Sequence, residues 1–173
     1  MTLGPRRIAV VGRAGAGKTT IALRLGEALG IPVTHLDRLF WTPDWLEVDR
    51  AEFERRQLEV VEHDAWILDG GYLTSAGWPR RRARADLVMV AEAPLVVCLW
   101  RIVRRSILRR RSRPDRPGDR EQFSPHFLWW TITWTRRHPR LAETLRAAGT
   151  PVVVARRGAD VDALIGAWRA ERD

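Results

Sequence analysis

The sequence predicts an α/β fold in three layers, a five-stranded parallel sheet with helices on both faces. Two observations lead there. Five short segments rich in Val, Ile and Ala, at 6–12, 32–37, 65–70, 86–93 and 150–156, read as buried strands with helical patterns between them. Such alternation is how a parallel sheet is covered on both sides. The second observation is a glycine-rich stretch, "GRAGAGKT" at residues 12–19, that joins the first strand to the first helical pattern.

The helical elements carry their own punctuation. One begins inside the glycine stretch and stops at Gly30, a residue suited to the C′ position. Asp49 and Glu52 give a D-x-x-E capping pair before "RAEFERRQLEVVEH". Pro94 and Pro125 each fit N1, opening "PLVVCLWRIVRRSILRRR" and "HFLWWTITWTRR", the latter ending near His138 and Pro139. A short helix follows to Gly149, and Asp160 starts the last one. The stretch 111–122, "RSRPDRPGDREQ", is proline-rich, charged and aperiodic, and reads as a loop between helices of one domain.

A chain of 173 residues, 45% hydrophobic, has material for one core, so a single domain over 1–173 is expected. No secretory leader or membrane span can be drawn, which makes a cytoplasmic protein the expectation. Cys98 is the one cysteine, leaving no internal disulfide and no cysteine-rich zinc site. It sits in "PLVVCLW" and reads as a buried thiol. The net charge of +9 favours anionic partners, either a nucleic acid or substrates carrying several phosphates.

Lys18 narrows the choice. It is the only lysine, whereas every other basic chain from Arg6 to Arg172 is arginine. Residues 12–19 match the phosphate loop G-x-x-x-x-G-K-[ST] at every fixed position, with Gly15 added. The glycines let bare N–H groups approach phosphate oxygens, and the following helix aims its N-terminus at the same anion. A compact ammonium then reaches the β- and γ-phosphates, a task for which a broad guanidinium is no replacement. Thr19 is placed to offer its hydroxyl to Mg²⁺. Gly12, Arg13, Ala14, Gly15, Ala16, Gly17, Lys18, Thr19 and Thr20 are therefore the expected ATP-binding residues.

The single lysine also excludes. Ras-like GTPases read guanine with Asn-Lys-x-Asp, which cannot occur here. There is no LSGGQ-like transporter signature, and the chain is short for an AAA+ module. The glycine loop, "VTHLDRLFW", "WILDGGY", R-x-x-R-A-D at 81–86 and "RIVRR" together resemble the adenylate-kinase-like P-loop family. Within it they are most similar to the small DNA topology modulation proteins, over about residues 6–157. The resemblance implies a P-loop NTP hydrolase fold with strand order 2-3-1-4-5, nucleoside-monophosphate-kinase-like with a short lid, and phosphoryl transfer from ATP. It also implies an acceptor arm at about 38–64 and a lid-like loop at about 109–123. The chain departs from adenylate kinases in carrying "DGGYLTSAGWPRRR" for D-G-[FY]-P-R and "LDRLFWTPDW" for a T-G-D pattern. AMP is not implied as the acceptor.

Individual residues then acquire candidate roles. Asp69 ends a hydrophobic strand, where a carboxylate can hold Mg²⁺ through water beside the loop, or merely cap the next turn. Adjacent Gly70 and Gly71 permit close approach of the backbone and favour the functional reading; Gly70 and Tyr72 join the acceptor-site candidates. Asp37 ends the second strand, which in the resembled fold points at the acceptor, so its carboxylate could orient or deprotonate an attacking hydroxyl. His35, two residues earlier and on the same strand face, reads rather as a core histidine. Arg101, Arg105 and Arg109 share a helix face; "RIVRR" matches the lid-helix spacing and implies nucleotide stacking for Arg101 and phosphate clamping for Arg105. Arg109, Arg110 and Arg111 read as a solvated face. Arg113 and Arg116 could close over the transferred phosphate or lie idle in the loop. Arg81 and Arg84 are candidates for an anionic group on the acceptor. Phe40, Trp41 and Trp45 could stack on an aromatic acceptor. Trp100 and Trp168 read as core, while Trp129, Trp130 and Trp134 suggest packing or a dimer face.

Two functions follow. One is an ATP- and Mg²⁺-dependent kinase acting on a nucleotide or other small acceptor. The alternative is a nucleotide-gated binding protein or weak ATPase touching DNA through its arginines. The sequence has no recognised DNA-reading fold, and the kinase is preferred.

Overall fold

The structure, a computed structural model, describes residues 4–42, 46–109 and 125–170. Five strands, β1 (Arg7–Gly12), β2 (Val33–His35), β3 (Trp66–Asp69), β4 (Leu87–Ala91) and β5 (Val152–Ala155), form one sheet in the order β2-β3-β1-β4-β5. Every pairing is parallel, with Val10 opposite Asp69 on one side of β1 and Met89 on the other. The expected fold class and strand order are those observed.

Side-chain alternation divides the core between the sheet's two faces. Ile8, Val10, Ile67, Leu87 and Met89 pack on one face with Ile21, Ala22 and Leu25 of α1 (Lys18–Leu29) and with Val161 and Ile165 of α8 (Gly158–Ala170). Ala9, Val11, Leu68, Val88 and Val90 face the other way. They meet Leu36 of α2 (Leu36–Phe40), Phe53 and Val61 of α3 (Arg50–Val61), and Ala142 and Leu145 of α7 (Leu141–Ala147). The remaining helices are α4 (Gly77–Arg84), α5 (Leu95–Arg109) and α6 (Pro125–Arg137).

The punctuation holds in most places. Gly30 caps α1 in the left-handed conformation, at φ 66°. The Asp49 side chain accepts from the Ala51 and Glu52 amides, while Glu52 pairs with Arg55 and Arg56 instead of completing a reciprocal box. Asp160 accepts from the amides of Arg156 and Arg157, but α8 already begins at Gly158. α5 starts at Leu95, one residue after Pro94.

Two residues are placed differently from expectation. β2 ends at His35, so Asp37 lies in the first turn of α2 and not at a strand end; the chain turns helical as soon as Leu36 is buried beneath the sheet. Trp100 is 57% exposed with the Arg104 guanidinium over its ring, because it rides the outer face of α5 with Val96, Val103 and Ile107. The apolar period of α5 is wider than the stripe the sheet can cover. Trp168, by contrast, packs against the core, and the Cys98 thiol is buried. Among the described residues, no helix is long and apolar enough to cross a membrane.

Candidate functional site

A cleft of about 1610 Å³ opens along the C-terminal edge of the sheet. Cavities of ~300–1,000 Å³ suit single small ligands, so this one has room for two. Its floor at one end is the glycine loop. There the backbone, not the side chains, makes the shape. Gly12 (φ 142°), Gly15 (φ 75°) and Gly17 (φ 102°) adopt conformations that side chains rarely take. A Cβ on Gly12 would lie 2.3 Å from the Ala91 carbonyl oxygen, and one on Gly15 would lie 2.5 Å from that of Cys98. Gly17 is the N-cap of α1 and brings no side-chain cap. The first amides of that helix are thus left for an anion, with the helix dipole behind them.

Lys18, half-buried in the loop, donates from Nζ to the Arg13 carbonyl at 3.0 Å. Enclosure by protein lowers its pKa, and the nearby Asp69 and Asp37 carboxylates oppose that shift. Thr19 Oγ1 donates to Asp69 Oδ2 at 2.7 Å, and His35 Nδ1 lies 2.9 Å from the same oxygen. Register explains the second contact, since His35 and Asp69 are neighbours across β2 and β3. Gly12 to Lys18, Thr19 and Thr20 line the cleft, apart from Arg13, whose Nη2 donates to Thr135 of α6.

Arg101 and Arg105 reach the loop end from α5. Arg101 Nη1 donates to the Gly15 carbonyl at 3.2 Å, so this exposed guanidinium lies along the loop's rim. Arg105 lines the same cleft, near enough to Lys18 to depress its pKa.

The other end is built of side chains. Asp37 opens onto the cleft and accepts a 2.7 Å hydrogen bond from Tyr72 OH. Surrounding protein desolvates the carboxylate and raises its pKa; the Tyr72 bond and Lys18 pull it the other way. The Tyr72 phenol is in turn pushed upward by burial and by Asp37. Phe40, Trp41, Gly70 and Tyr72 line this part, with Phe40 edge-on to Trp41 at 5.0 Å and 5.4 Å from Tyr72. Trp130 and Trp134 of α6 also line it, 5.1 Å apart, although their pattern suggests packing. His35 likewise belongs to the cleft and to the Asp69 cluster rather than to the core. Alternation along a strand cannot distinguish a core-facing histidine from one at the strand's open end.

Arg81 and Arg84 are placed elsewhere, and neither lines the cleft. Arg81 is fully buried, with Nη2 donating to the Gly71 carbonyl at 2.6 Å. Arg84 pairs with Glu62 at 2.7 Å. The R-x-x-R element is helical, as α4, and its arginines face inward and toward α3. Trp45, Arg110, Arg111, Arg113 and Arg116 lie outside the described residues, as does the Arg109 side chain. The described residues include no group of three or more His, Cys, Asp or Glu able to hold a metal. What they offer a hard cation is the paired oxygens of Thr19 and Asp69.

No protein-family model matches the chain, and no curated protein matches its sequence. Solved structures do resemble it. Shikimate kinase from Acinetobacter baumannii in complex with shikimate matches with a TM-score of 0.59 at 18% identity, over 98% of this chain and 94% of that one. A putative kinase from Chloroflexus aurantiacus matches at 0.56 and 17%, over 96% and 97%. Deoxyadenosine kinase from M. mycoides with bound dCTP matches at 0.50 and 12%, over 94% and 98%. With the 2-3-1-4-5 sheet, these likenesses give the chain the fold of P-loop kinases.

Proposed function

We propose that the protein transfers the γ-phosphoryl group of ATP to a hydroxyl of a small acceptor. The observation that carries this reading is that one cleft holds both the glycine cradle and, facing it, the Asp37 carboxylate. A plain nucleotide-binding protein needs the first and has no use for the second.

In this reading the loop amides and the N-terminus of α1 hold the phosphates, and Lys18 exchanges its bond to Arg13 for one to the β- and γ-oxygens. Arg101 stacks or clamps at the rim, and Arg105 neutralises charge on the moving phosphoryl group. The residues fit Mg²⁺: Thr19 Oγ1 and, through water, Asp69 are hard oxygen donors beside the cradle, and His35 holds the Asp69 carboxylate in place. The ion, when bound, would spread the negative charge of the phosphates. Asp37 orients the acceptor hydroxyl and takes its proton as the acceptor oxygen bonds to γ-phosphorus and the bond to the ADP oxygen breaks. Phe40 and Trp41 border the acceptor. The fold relatives, a shikimate kinase and a deoxyadenosine kinase among them, support the reaction class and leave the acceptor open. The narrower resemblance to DNA topology modulation proteins rests on "HLDRLFW" and "DGGY" and names no chemistry.

The test is an ATP-consumption screen over nucleosides, nucleoside monophosphates and small alcohols, with Lys18→Ala as blank. One acceptor class is expected to raise Mg²⁺-dependent turnover well above the blank. If none does, the protein is a nucleotide-gated binder and the kinase reading is wrong.

A further inference from the structure

The buried guanidinium of Arg81 has no counterpart in that mechanism. It is 0% exposed, and among the described residues no carboxylate pairs with it. Its Nε and Nη1 lack hydrogen-bond partners. Trp78 lies 4.7 Å beneath the charge, a partial offset through its ring. Burying a cation with donors unpaired is costly, and an apolar side chain of similar size would remove that cost. The one directed contact obtained in exchange is the short bond from Nη2 to the Gly71 carbonyl.

Gly71 belongs to a turn that needs holding. Tyr72 has φ 37°, a left-handed conformation that is strained for a bulky residue and persists only where the surroundings impose it. Gly70 before it has φ 156° and leaves room for Leu36, which a Cβ would meet at 2.7 Å. Trp134 lies over Gly71, and the Ser75 amide and hydroxyl both donate to the Tyr72 carbonyl. Arg81 supplies the remaining side of this clamp, from α4, and it is the only charged one. At the end of the turn stands the phenol, 2.7 Å from Asp37 Oδ1.

We propose that Arg81 is a positioning residue: by holding the Gly71 carbonyl it keeps the turn after β3 in the strained form that sets the Tyr72 hydroxyl on Asp37. The role of that contact in the reaction rests on the reading of Asp37 as the acceptor-facing carboxylate; the contact itself does not. Arg81 thereby tunes the acceptor end without touching the acceptor, and the strain at Tyr72 is stored between α4 and α2.

Tyr72 is the only tyrosine in the chain, so its phenol can be followed in the ligand-free protein by ¹³Cζ-tyrosine NMR and phenolate absorbance. No turnover is needed, which separates this test from the acceptor screen. In the wild type, burial and Asp37 are expected to hold the phenol above its ordinary value of about 10. In Arg81→Met, shown to be folded by circular dichroism, the turn is expected to relax, and the phenol's midpoint falls towards about 10 as burial and Asp37 are lost. A merely electrostatic or packing role predicts the opposite sign, since removing a nearby positive charge from an unmoved phenol raises its pKa. A midpoint that rises or stays put in the folded variant overturns the proposal. Should Arg81→Met not fold, the wild type decides. The Arg81 Nη proton is expected to exchange slowly and to show coupling across its hydrogen bond to the Gly71 carbonyl carbon; fast exchange without coupling overturns the proposal.

Discussion

At the loop end of the cleft the walls are main chain: amides of residues 12–19, three glycines at positive φ, and one ammonium. At the Asp37 end the walls are side chains from α2, α6 and the turn after β3. The first end is local in sequence, complete within one strand–loop–helix unit, and tolerates no side chain at Gly12 or Gly15. The second is assembled from residues more than thirty positions apart, as Tyr72 and Asp37 are. In the proposed reading, phosphate, the same in every triphosphate, is met by backbone geometry. In the same reading an acceptor, which differs between enzymes, is met by side chains on a rigid frame.

The sharpest way to break the contrast is Gly12→Ala. A Cβ 2.3 Å from the Ala91 oxygen must push β1 from β4 at the sheet centre. Strain and overpacking together predict a loss of about 3 kcal/mol or more, read as a fall in Tm and in the denaturant midpoint. A stable Gly12→Ala protein that still binds nucleotide would show that the cradle is not main-chain built. Lys18→Ala comes next. It is expected to lower ATP affinity by about 1.5–3 kcal/mol, ten- to a hundred-fold, by calorimetry, with the fold intact.

Asp37→Asn addresses the other end through pH. The folded-state pKa of Asp37 is raised by desolvation, so between its unfolded value and that raised value the folded chain binds more protons. Stability contributed at this position is therefore present in acid and lost as pH rises through the folded pKa. Tm measured from acid to neutral pH should fall less steeply in Asp37→Asn than in the wild type, whereas an unchanged slope would mean that the carboxylate is not desolvated. The smallest effect is expected for Arg84→Ala. Its side chain is partly exposed and bound to Glu62 across the surface, so about 0–1 kcal/mol of stability is lost and acceptor KM is unchanged.

The contrast also explains what could be read from the chain. Five apolar segments, Gly30 at a helix end and the turn at "GRAGAGKT" were legible because each signal is local: periodicity, a positive-φ cap and a glycine-rich link from strand to helix. Asp69 was legible too, as the polar end of an apolar strand. The places of Arg81, Arg84, His35 and Trp130 were not. An arginine spaced for an acceptor and one spaced to bind a carbonyl within the core are the same letters, and only the packing of α4 on α3 separates them. Trp100 was misplaced for a related reason. Its apolar run fits a buried helix, yet the sheet covers only the Cys98 and Ile102 side.

The apex of the loop rests against α5, where Gly15 leaves no space between itself and the backbone at Cys98. Three residues further along stands Arg101, bonded to the loop's carbonyls. The first half of α5 is therefore a fixed buttress rather than a swinging arm. In the proposed reading, closure over a bound nucleotide is expected to pivot beyond that seam, towards the C-terminal end of the helix. A probe attached near Val96 should register nothing when ATP arrives, and one near Ile107 should carry the signal.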